Sequence, residues 1–539
     1  MKSECLPFSQ IPHTTRLFAD FLSDYSKVQQ FYPRPAYFNQ WFKDEASNLS
    51  YVAERREAVA AILGRQNQSW NASAKTLENI VRLRAGASAV VTGQQVGLFG
   101  GPAFTIFKAL TAIKLADQAT RSGVDCVPVF WLATEDHDLA EVNQVSIPGP
   151  DGSLQKLTAP AEGLSNAPVG TVRFGSEIDA VMEAATGLLG PGEISDFLRE
   201  AYRPGETFGN AFARLLARLF ADWGVILLDA ADAEFHQIAK PIYRAAIERA
   251  AELDEALLTR GKVLESAGYH QQVKVTQSST LLFTIRNGAR VPVHRRVNGD
   301  GSAEFLIEEE RVSKADMLSR VASSPWDFSG NALLRPVIQD YLLPTLAYTG
   351  GSAEVAYFAQ VAVVYEMLLG RVTPIVPRFS ATIVEPKPKT LLERYGLRLP
   401  DLFPGPENLR EQMASRTLPK DLQSAFEQAE VSLEKSLAAI REGLTRLDST
   451  LVDSATNAAS KMQHQLSQLR SKAARAELRH TEVLTRKADV LSNLLYPGKA
   501  LQEREIAGVY FLARYGREFL RDVYETVHPD CLDHQIISV

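Results

Sequence analysis

The chain has 539 residues, 45% hydrophobic and 23% charged, with a net charge of -6 at pH 7. These values are typical of a globular protein of two to four domains, and the acidic balance gives no basic field for nucleic acid. No apolar run reaches the length of a membrane span, and the N-terminus MKSECLPFSQ lacks the apolar core of a signal peptide. We therefore expect a cytoplasmic protein with neither a nucleic-acid nor a membrane partner.

The cysteines Cys5, Cys126 and Cys531 each stand alone in the sequence. This pattern fits a reducing compartment, excludes a disulfide framework and a CxxC-type zinc site, and makes zinc an unexpected cofactor. Cys126 precedes an apolar strand and is interpreted as a packing residue. Cys5 and Cys531 lie near the termini and give no readable signal.

A strand–helix–strand unit opens the readable part of the chain. The strand begins at Ala89 (AVVT), a loop of small residues follows, and a second strand runs from Val127 to Ala133. The intervening helix has helically spaced apolar residues at Ile106, Ala109, Leu110, Ile113 and Ala116. We predict parallel strands with a right-handed crossover, and ligands at the carboxyl ends of the strands, where TGQQ and TEDHD stand.

The same α/β pattern continues, with a β-rich interruption. A helix at Ala211 to Asp222, a strand at Gly224 to Ala230 and a helix at Ala233 to Leu253 precede a hairpin whose turn is Asn287-Gly288. The parallel-sheet pattern then resumes at Thr345 to Gly370 and Thr373 to Glu385. We assign residues 1–385 to a Rossmann-like core with a β-rich insertion at about 270–312, and residues 386–419 to a Pro-rich connector.

Residues 420–496 have the heptad pattern of a coiled coil. Two apolar series in steps of three and four residues carry it: Leu433, Leu437, Ile440, Leu444, Leu447, Leu451, then Ala455, Ala458, Met462, Leu466, Leu469 and Ala473. The pattern fits either one continuous helix or, as we favour, an antiparallel hairpin with its tip near Asp448 to Asn457. Residues 497–539 then return to the core, and the seam predicts a homodimer or a scaffold.

Three polar clusters at predicted strand ends are candidate site residues. The first is the glycine-rich loop with the lysine that follows it: Thr92, Gly93, Gln94, Gln95, Gly100, Gly101 and Lys108. Glycines let backbone amides approach an anion beside a helix N-terminus, but the loop matches neither GxxxxGK[ST] nor GxGxxG. A tight turn and a solvated lysine remain the alternatives.

The second cluster follows a strand that should be buried and contains Glu135, Asp136, His137, Asp138 and Glu141, of which Glu135, His137 and Asp138 are the candidate site residues. Carboxylates beside a histidine suit acid/base chemistry or a divalent metal, although the sequence does not identify a metal. A histidine fixed by a carboxylate for structural reasons is the alternative. Asn143 is expected to hold this loop through backbone hydrogen bonds.

The third cluster contains Tyr348, Gly350, Gly351 and Glu354, again between a strand and a helix. It suits recognition of a polar substrate, or forms a turn in which Ser352 caps the helix. Arg378, just after the next strand, reaches either an anion or an ion-pair partner within the fold.

The motifs TGQQVGLFGGPAFTIFKALTAIKLA, VPVFWLATEDHDLAEVN, LLPTLAYTGGSAEVAYFAQ, VPRFSATIVEP and LLYPGKALQEREI together resemble the bacillithiol biosynthesis cysteine-adding enzyme family. The resemblance runs from about Leu17 to the C-terminus. It implies a nucleotidyltransferase-like Rossmann core, related in layout to class I aminoacyl-tRNA synthetases, with a dimerising antiparallel coiled coil. It also implies a ligase (EC 6-type) that joins the carboxyl of L-cysteine to the amine of glucosaminyl-malate.

The resemblance further implies roles for the three clusters. ATP with Mg²⁺ is expected to activate the carboxyl, with Gly93, Gln94, Gly100, Lys108 and their neighbours Thr92, Gln95, Gly101 and Arg378 contacting the nucleotide. Glu135, His137 and Asp138 are expected to handle the amine or a metal, and Tyr348, Gly350, Gly351 and Glu354 to bind substrate.

Two departures from the synthetase pattern stand out. Phe107 occupies the position where a histidine is expected, and VPRFS is the nearest counterpart of KMSKS. Two rival functions keep the fold: a coiled-coil scaffold that binds a nucleotide or metabolite, and a nucleotidyltransferase with another acceptor.

Overall fold

The computed structural model describes residues 2–162, 166–297, 303–416, 420–478, 482–528 and 530–539. Its contacts divide the chain into two compact units. The first contains Met1–Ile147, Gln155–Thr382 and Glu503–Ile537, and the second contains Pro148–Leu154, Ile383–Gln502 and Ser538–Val539.

The strands of the described residues are, in chain order, β1 Lys2–Leu6, β2 Ser88–Gln94, β3 Cys126–Leu132, β4 Gln144–Pro148, β5 Leu154–Thr158, β6 Ala161–Glu162, β7 Arg173–Phe174, β8 Ile226–Asp229, β9 Ser279–Arg286, β10 Ala289–Val297, β11 Ala303–Ile307, β12 Glu310–Ser313, β13 Phe328–Gly330, β14 Thr345–Gly350, β15 Ile375–Pro377, β16 Ala381–Val384 and β17 His534–Ser538.

The α-helices are α1 Arg16–Ser23, α2 Phe42–Asn48, α3 Ala53–Ser69, α4 Ala74–Ala85, α5 Phe104–Arg121, α6 Leu139–Val142, α7 Ile178–Leu189, α8 Glu193–Ala201, α9 Phe208–Leu219, α10 Ala233–Glu248, α11 Ala250–Ser266, α12 Lys314–Ser323, α13 Arg335–Leu342, α14 Ser352–Leu369, α15 Pro386–Arg394, α16 Pro406–Ser415, α17 Lys420–Leu447, α18 Val452–Leu478, α19 Glu482–Leu495, α20 Gln502–Glu505, α21 Gly508–Tyr515 and α22 Glu518–Thr526.

A five-stranded sheet in the order β15-β14-β2-β3-β8 forms the centre of the first unit. Each neighbouring pair is parallel, as predicted from the strand–helix–strand pattern. From β2 the chain adds β3 and β8 on one side, and it later adds β14 and β15 on the other. The carboxyl ends of β2 and β14 therefore flank the point where the strand order reverses, which is where open α/β sheets bind ligands.

Helix α5 follows β2 and packs against the sheet as its spacing predicts. Its apolar residues Ile106, Ala109, Leu110, Ile113 and Ala116 are all buried. Helix α14 is the one helix among the described residues that is long and apolar enough to cross a membrane. Half of it is buried, and its residues Val355, Phe358 and Val361 belong to the core cluster. The core helix of a globular unit has the same length and apolar composition as a membrane-spanning helix, so α14 is weak evidence for a membrane span.

The β-rich insertion is an antiparallel sheet in the order β12-β11-β10-β9-β13. The predicted hairpin is present: Asn287 and Gly288 have φ values of 51° and 82°, which a type I′ turn requires. The sheet takes in β13, Phe328–Gly330, beyond the predicted end of the insertion near residue 312.

Three boundaries differ from the sequence prediction. The helix expected from Ala233 to Leu253 breaks at Arg249, where α10 ends and α11 begins. The stretch expected to continue the parallel sheet to Glu385 contributes only β15 to that sheet, since β16 is not among its strands. The residue at the N-cap of α14 is Gly351, so Ser352 is the first helical residue and not the cap.

The second unit contains the coiled-coil hairpin. Helices α17 and α18 are joined by the short turn Ser449–Leu451, inside the predicted tip. Arg470 of α18 is 3.2 Å from Glu430 of α17, as two antiparallel helices allow. The hairpin alternative is therefore confirmed over the single long helix.

Candidate functional site

A buried lysine cluster occupies the reversal point between β2 and β14. Nζ of Lys108 lies 2.8 Å from the carbonyl oxygen of Gly93, 3.0 Å from Oε1 of Gln94 and 2.6 Å from Oε2 of Glu354. The other oxygen of Glu354 accepts a 2.6 Å hydrogen bond from the Tyr348 hydroxyl. The structure thus brings together five residues that the sequence places in separate motifs.

The charges in this cluster support each other. Burial alone would raise the pKa of Glu354, but the charge of Lys108 and the hydrogen bonds from Lys108, Tyr348 and the Gly351 amide lower it. Burial lowers the pKa of Lys108, and Glu354 offsets part of that effect. All three ammonium hydrogens have an acceptor within the fold, so Lys108 is neither solvated nor pointed at open space. Its direct effect is to fix the positions of Gln94 and Glu354.

Arg335 extends this cluster, although no feature of the sequence selects it. Its guanidinium donates to the Tyr357 hydroxyl at 2.9 Å and lies 5.6 Å from the centre of the Tyr348 ring. As the first residue of α13, it follows no recognisable motif.

A carboxylate–histidine cluster follows β3, the neighbouring strand. Nη1 of Arg290, from β10 of the insertion, lies 3.1 Å from Nδ1 of His137 and 3.9 Å from Oδ1 of Asp136. An arginine can only donate, so Nδ1 of His137 is the acceptor and the neutral ring carries its proton on Nε2. Burial, and then the charge of Arg290, lower the pKa of His137.

Arg290 is itself held rigidly, although nothing in the sequence marked it. Its Nε donates to the Ser329 hydroxyl at 2.9 Å, its Nη2 donates to the Gly330 carbonyl at 2.8 Å, and its guanidinium lies 3.9 Å from the centre of the Phe283 ring. The insertion therefore contributes a fixed positive charge to the edge of the parallel sheet.

The side chain of Glu135 is more buried than those of Asp136 and His137. Its Oε1 is 3.4 Å from Nε2 of His236, whose Nδ1 is 2.9 Å from the Tyr243 hydroxyl. Burial raises the pKa of Glu135 to about 8 and lowers the pKa of His236 to about 4. At neutral pH most of this carboxyl is therefore protonated beside a neutral imidazole. A carboxyl that titrates near the working pH is suited to proton transfer.

Consecutive glutamines link the two clusters. Gln94 contacts Lys108, whereas Gln95 donates to Oδ2 of Asp136 at 2.6 Å and to Oε2 of Glu141 at 2.9 Å. The end of β2 therefore contacts α5 through Gln94 and the segment after β3 through Gln95.

The glycine-rich loop is more buried than an open phosphate cradle. The Thr92 hydroxyl donates to the Thr349 carbonyl and joins β2 to β14. Gly100 and Gly101 have positive φ values of 83° and 71°, and the Gly100 amide lies 3.2 Å from the Tyr202 hydroxyl. A Cβ on Gly93 would stand 2.9 Å from the Trp131 carbonyl oxygen, so strand packing also requires glycine there.

Arg378 lies beside the lysine cluster and makes an ion pair within the fold. Its Nη2 is 2.6 Å from Oε1 of Glu503, and its backbone amide donates to the Gly350 carbonyl. Its Nε is buried and has no hydrogen-bond partner among the described residues. A Cβ placed on Gly351 would stand 3.4 Å from that Nε, so the glycine adds no side-chain contact at this buried edge of the guanidinium.

Asp138 caps a helix and does not join the contacts of Glu135 and His137. It is exposed and caps α6, where its carboxylate accepts from the Glu141 amide at 3.3 Å. Asn143 binds Ala159 through its side chain and its carbonyl, as expected for a residue that holds this loop. Within the described ranges, no group of three or more His, Cys, Asp or Glu side chains is arranged to hold a metal ion.

The whole chain matches two family models in succession. Residues 1–379 match "Bacillithiol biosynthesis BshC, N-terminal Rossmann-like domain", and residues 381–539 match "Bacillithiol biosynthesis BshC, C-terminal coiled-coil domain". The chain belongs to the BshC family.

Relatives in this family are similar over their full length. A "Putative cysteine ligase BshC" of Koribacter versatilis is 48% identical over 539 residues, covering 100% of both chains. The relatives of that name in Solibacter usitatus and Geobacillus thermodenitrificans are 38% identical over 540 residues and 30% over 537, with 98% or more of each chain covered. The chain is therefore a member of an enzyme family whose named relatives are ligases.

Within the BshC fold, Phe107 performs no part of the role that a histidine has in the synthetase pattern. Its ring is buried and packs edge-on against Phe379 at 5.3 Å between ring centres. The polar groups at this point of the fold are the ammonium of Lys108 on α5 and the amide of Gln94 at the end of β2.

Proposed function

We propose that this protein joins the carboxyl of L-cysteine to the amine of glucosaminyl-malate, giving bacillithiol, in an ATP-dependent reaction. The proposal draws on full-length membership of the BshC family and on one observation that carries it. The two clusters meet at the carboxyl edge of a parallel sheet, at its reversal point, where a synthetase-like enzyme holds its reactants. We also propose a cytoplasmic location.

The fit to an anionic reactant comes from Arg378. A buried guanidinium with one unpaired N–H beside a glycine suits a phosphate or carboxylate oxygen, because charge-assisted hydrogen bonds are strong where water is excluded. ATP, bound with Mg²⁺, would supply activation of the cysteine carboxyl as an adenylate or acyl phosphate. Mg²⁺ that binds together with ATP would be held mainly by the phosphates and by water.

Glu135 is the residue we assign to the amine. A protonated amine must lose a proton before it attacks a carbonyl, and the ionised fraction of Glu135, which grows as the pH rises toward its pKa of about 8, accepts that proton. His236 and Tyr243 hold this carboxyl, and Arg290 keeps a positive charge nearby. Tyr348, Gly351 and Glu354 would shape the substrate pocket, while Lys108 fixes its walls.

The test is mass spectrometry of the purified protein incubated with glucosaminyl-malate, L-cysteine and Mg-ATP, with a parallel reaction that lacks ATP. Bacillithiol formed only with ATP is expected. Product in both reactions would show that the reaction does not need ATP. No product from folded protein in either reaction would contradict the ligase assignment. Chromatography of the nucleotides would distinguish AMP from ADP as the product.

We further propose that the coiled coil makes a homodimer. Several large apolar side chains along the hairpin are exposed: Val431, Ile440, Leu447, Met462 and Leu469. Leu447 is 77% exposed in the single chain, and a leucine at a heptad position is normally covered by a partner helix. Light scattering after size exclusion should give twice the 59.4 kDa mass of one chain. The double variant Ile440→Glu/Leu447→Glu should elute as a monomer, and an unchanged dimer would place the interface elsewhere.

A further inference from the structure

The two terminal cysteines, far apart in sequence, lie side by side in the first unit. Sγ of Cys5 is 2.8 Å from Sγ of Cys531. Cys5 is on β1, which is hydrogen-bonded to β17, and Cys531 lies in the segment between α22 and β17. Cys5 is exposed and Cys531 is partly exposed, so a small molecule in solution can reach this pair.

We propose that Cys5 and Cys531 form a thiol-oxidation site that closes to an intramolecular disulfide. The oxidant is a low-molecular-weight disulfide. Two thiols at this separation need little movement to bond, whereas unrelated surface thiols are held far apart by the fold. The site lies outside both clusters of the candidate active site and is independent of the proposed ligase function.

The chemistry is two successive thiol–disulfide exchanges. The thiolate of one cysteine attacks the small disulfide, forming a mixed disulfide and releasing one small thiol. The second cysteine, as thiolate, then attacks the protein sulfur of that mixed disulfide, forming the Cys5–Cys531 bond and releasing the second small thiol. Two protein thiols are oxidised, one small disulfide is reduced to two thiols, and the two protons leave with those thiols or with buffer.

The hydrogen bond with Cys531, then burial, raise the pKa of Cys5 to about 11. Both sulfurs are accessible and adjacent, so either cysteine can make the first attack and its neighbour then resolves the mixed disulfide. Cys531 also borders a narrow cleft that His528 and Asp533 line. The charged groups facing Cys5 are the carboxylates of Glu4 and Asp533, and both oppose its ionisation.

Cys126 is a built-in control. It is buried in β3, and burial raises its pKa to about 12, so it should react slowly in the folded protein. A disulfide between Cys5 and Cys531 would therefore consume two of the three thiols in the chain.

The experiment treats the reduced full-length protein with oxidised glutathione and digests it without reduction for mass spectrometry. The expected product is a peptide linked through Cys5 and Cys531, with loss of two of the three thiols and no change in chain mass on a non-reducing gel. Glutathione left on both cysteines without a cross-link, or a cross-link between two chains, would overturn the proposal.

Single variants test the resolving step. In Cys5→Ser or Cys531→Ser the second thiol is missing, so glutathione should accumulate on the remaining cysteine of the pair and no cross-link should form. A cross-linked peptide in either variant would show that another thiol takes part and would overturn the proposal. The Cys126→Ser variant should cross-link like the unmodified chain, and loss of the cross-link there would contradict the assignment of the pair.

Discussion

Replacing Lys108 by Met tests whether the buried ion pair organises the site. The change removes the partner of Glu354 at 2.6 Å and leaves the carboxylate with hydrogen bonds from the Tyr348 hydroxyl and the Gly351 amide. Breaking a buried pair by removing one partner costs about 3–5 kcal/mol, since the remaining charge is uncompensated. The free energy of unfolding of Lys108→Met should fall by that amount.

The double variant separates charge from packing. Glu354→Gln preserves the shape of the side chain and removes the negative charge, so Lys108→Met/Glu354→Gln should recover at least about 1 kcal/mol relative to the sum of the single changes. The penalty of Lys108→Met should also shrink as the pH falls, because an unpaired buried Glu354 is easier to protonate.

The assay is urea unfolding followed by tryptophan fluorescence. All five tryptophans, Trp41, Trp70, Trp131, Trp223 and Trp326, lie in the first unit, so the signal reports that unit alone. Additive single changes, or a Lys108→Met cost below about 1 kcal/mol, would refute the assignment of an ion pair that stabilises the fold.

The other predictions concern catalysis, binding and the insertion. Glu135→Gln should lower kcat/KM about 100-fold and abolish its rise toward a pKa of about 8, whereas the exposed Glu183→Gln should not. Glu135 keeps its proton to a higher pH in the folded protein than in the unfolded chain, so the free energy of unfolding of the unchanged protein should fall as the pH rises from about 4.5 to 8. The free energy of unfolding of Glu135→Gln should fall less over this range. Parallel curves for the two proteins would contradict the raised pKa of the buried carboxyl. Gly351→Ala fits its φ of -80° but covers Nε of Arg378, so it should raise the KM of the anionic substrate about tenfold with unchanged unfolding; an unchanged KM would remove Arg378 from the site. Gly288→Ala should cost about 1 kcal/mol in urea unfolding because φ is 82°, and no cost would indicate a different turn.

The parallel sheet and the hairpin turn could be predicted because local patterns determine them. The apolar spacing of α5, the continuous apolar runs of β2 and β3, and the Asn287-Gly288 pair each specify one backbone geometry. The break at Arg249 could not be predicted, since the helical spacing continues across it.

The sequence predicted some residues of the candidate site and missed others. Lys108, Gln94 and Glu354 stand beside recognisable loops, so their motifs selected them. Arg290, by contrast, reaches His137 across 153 positions of sequence and lies on a strand of a different sheet. A contact between residues so far apart depends on tertiary packing, and no short sequence pattern predicts it.

The pairing of Arg378 with Glu503 has a consequence for synthesis of the chain. The arginine emerges from the ribosome 125 positions before the carboxylate that neutralises it, and Glu503 also accepts from the Ser380 hydroxyl and the Ala381 amide. A nascent chain that stops before residue 503 carries a buried guanidinium without its counter-charge. The sheet edge can therefore reach its final form only when translation is nearly complete, and truncated chains lack the mature site.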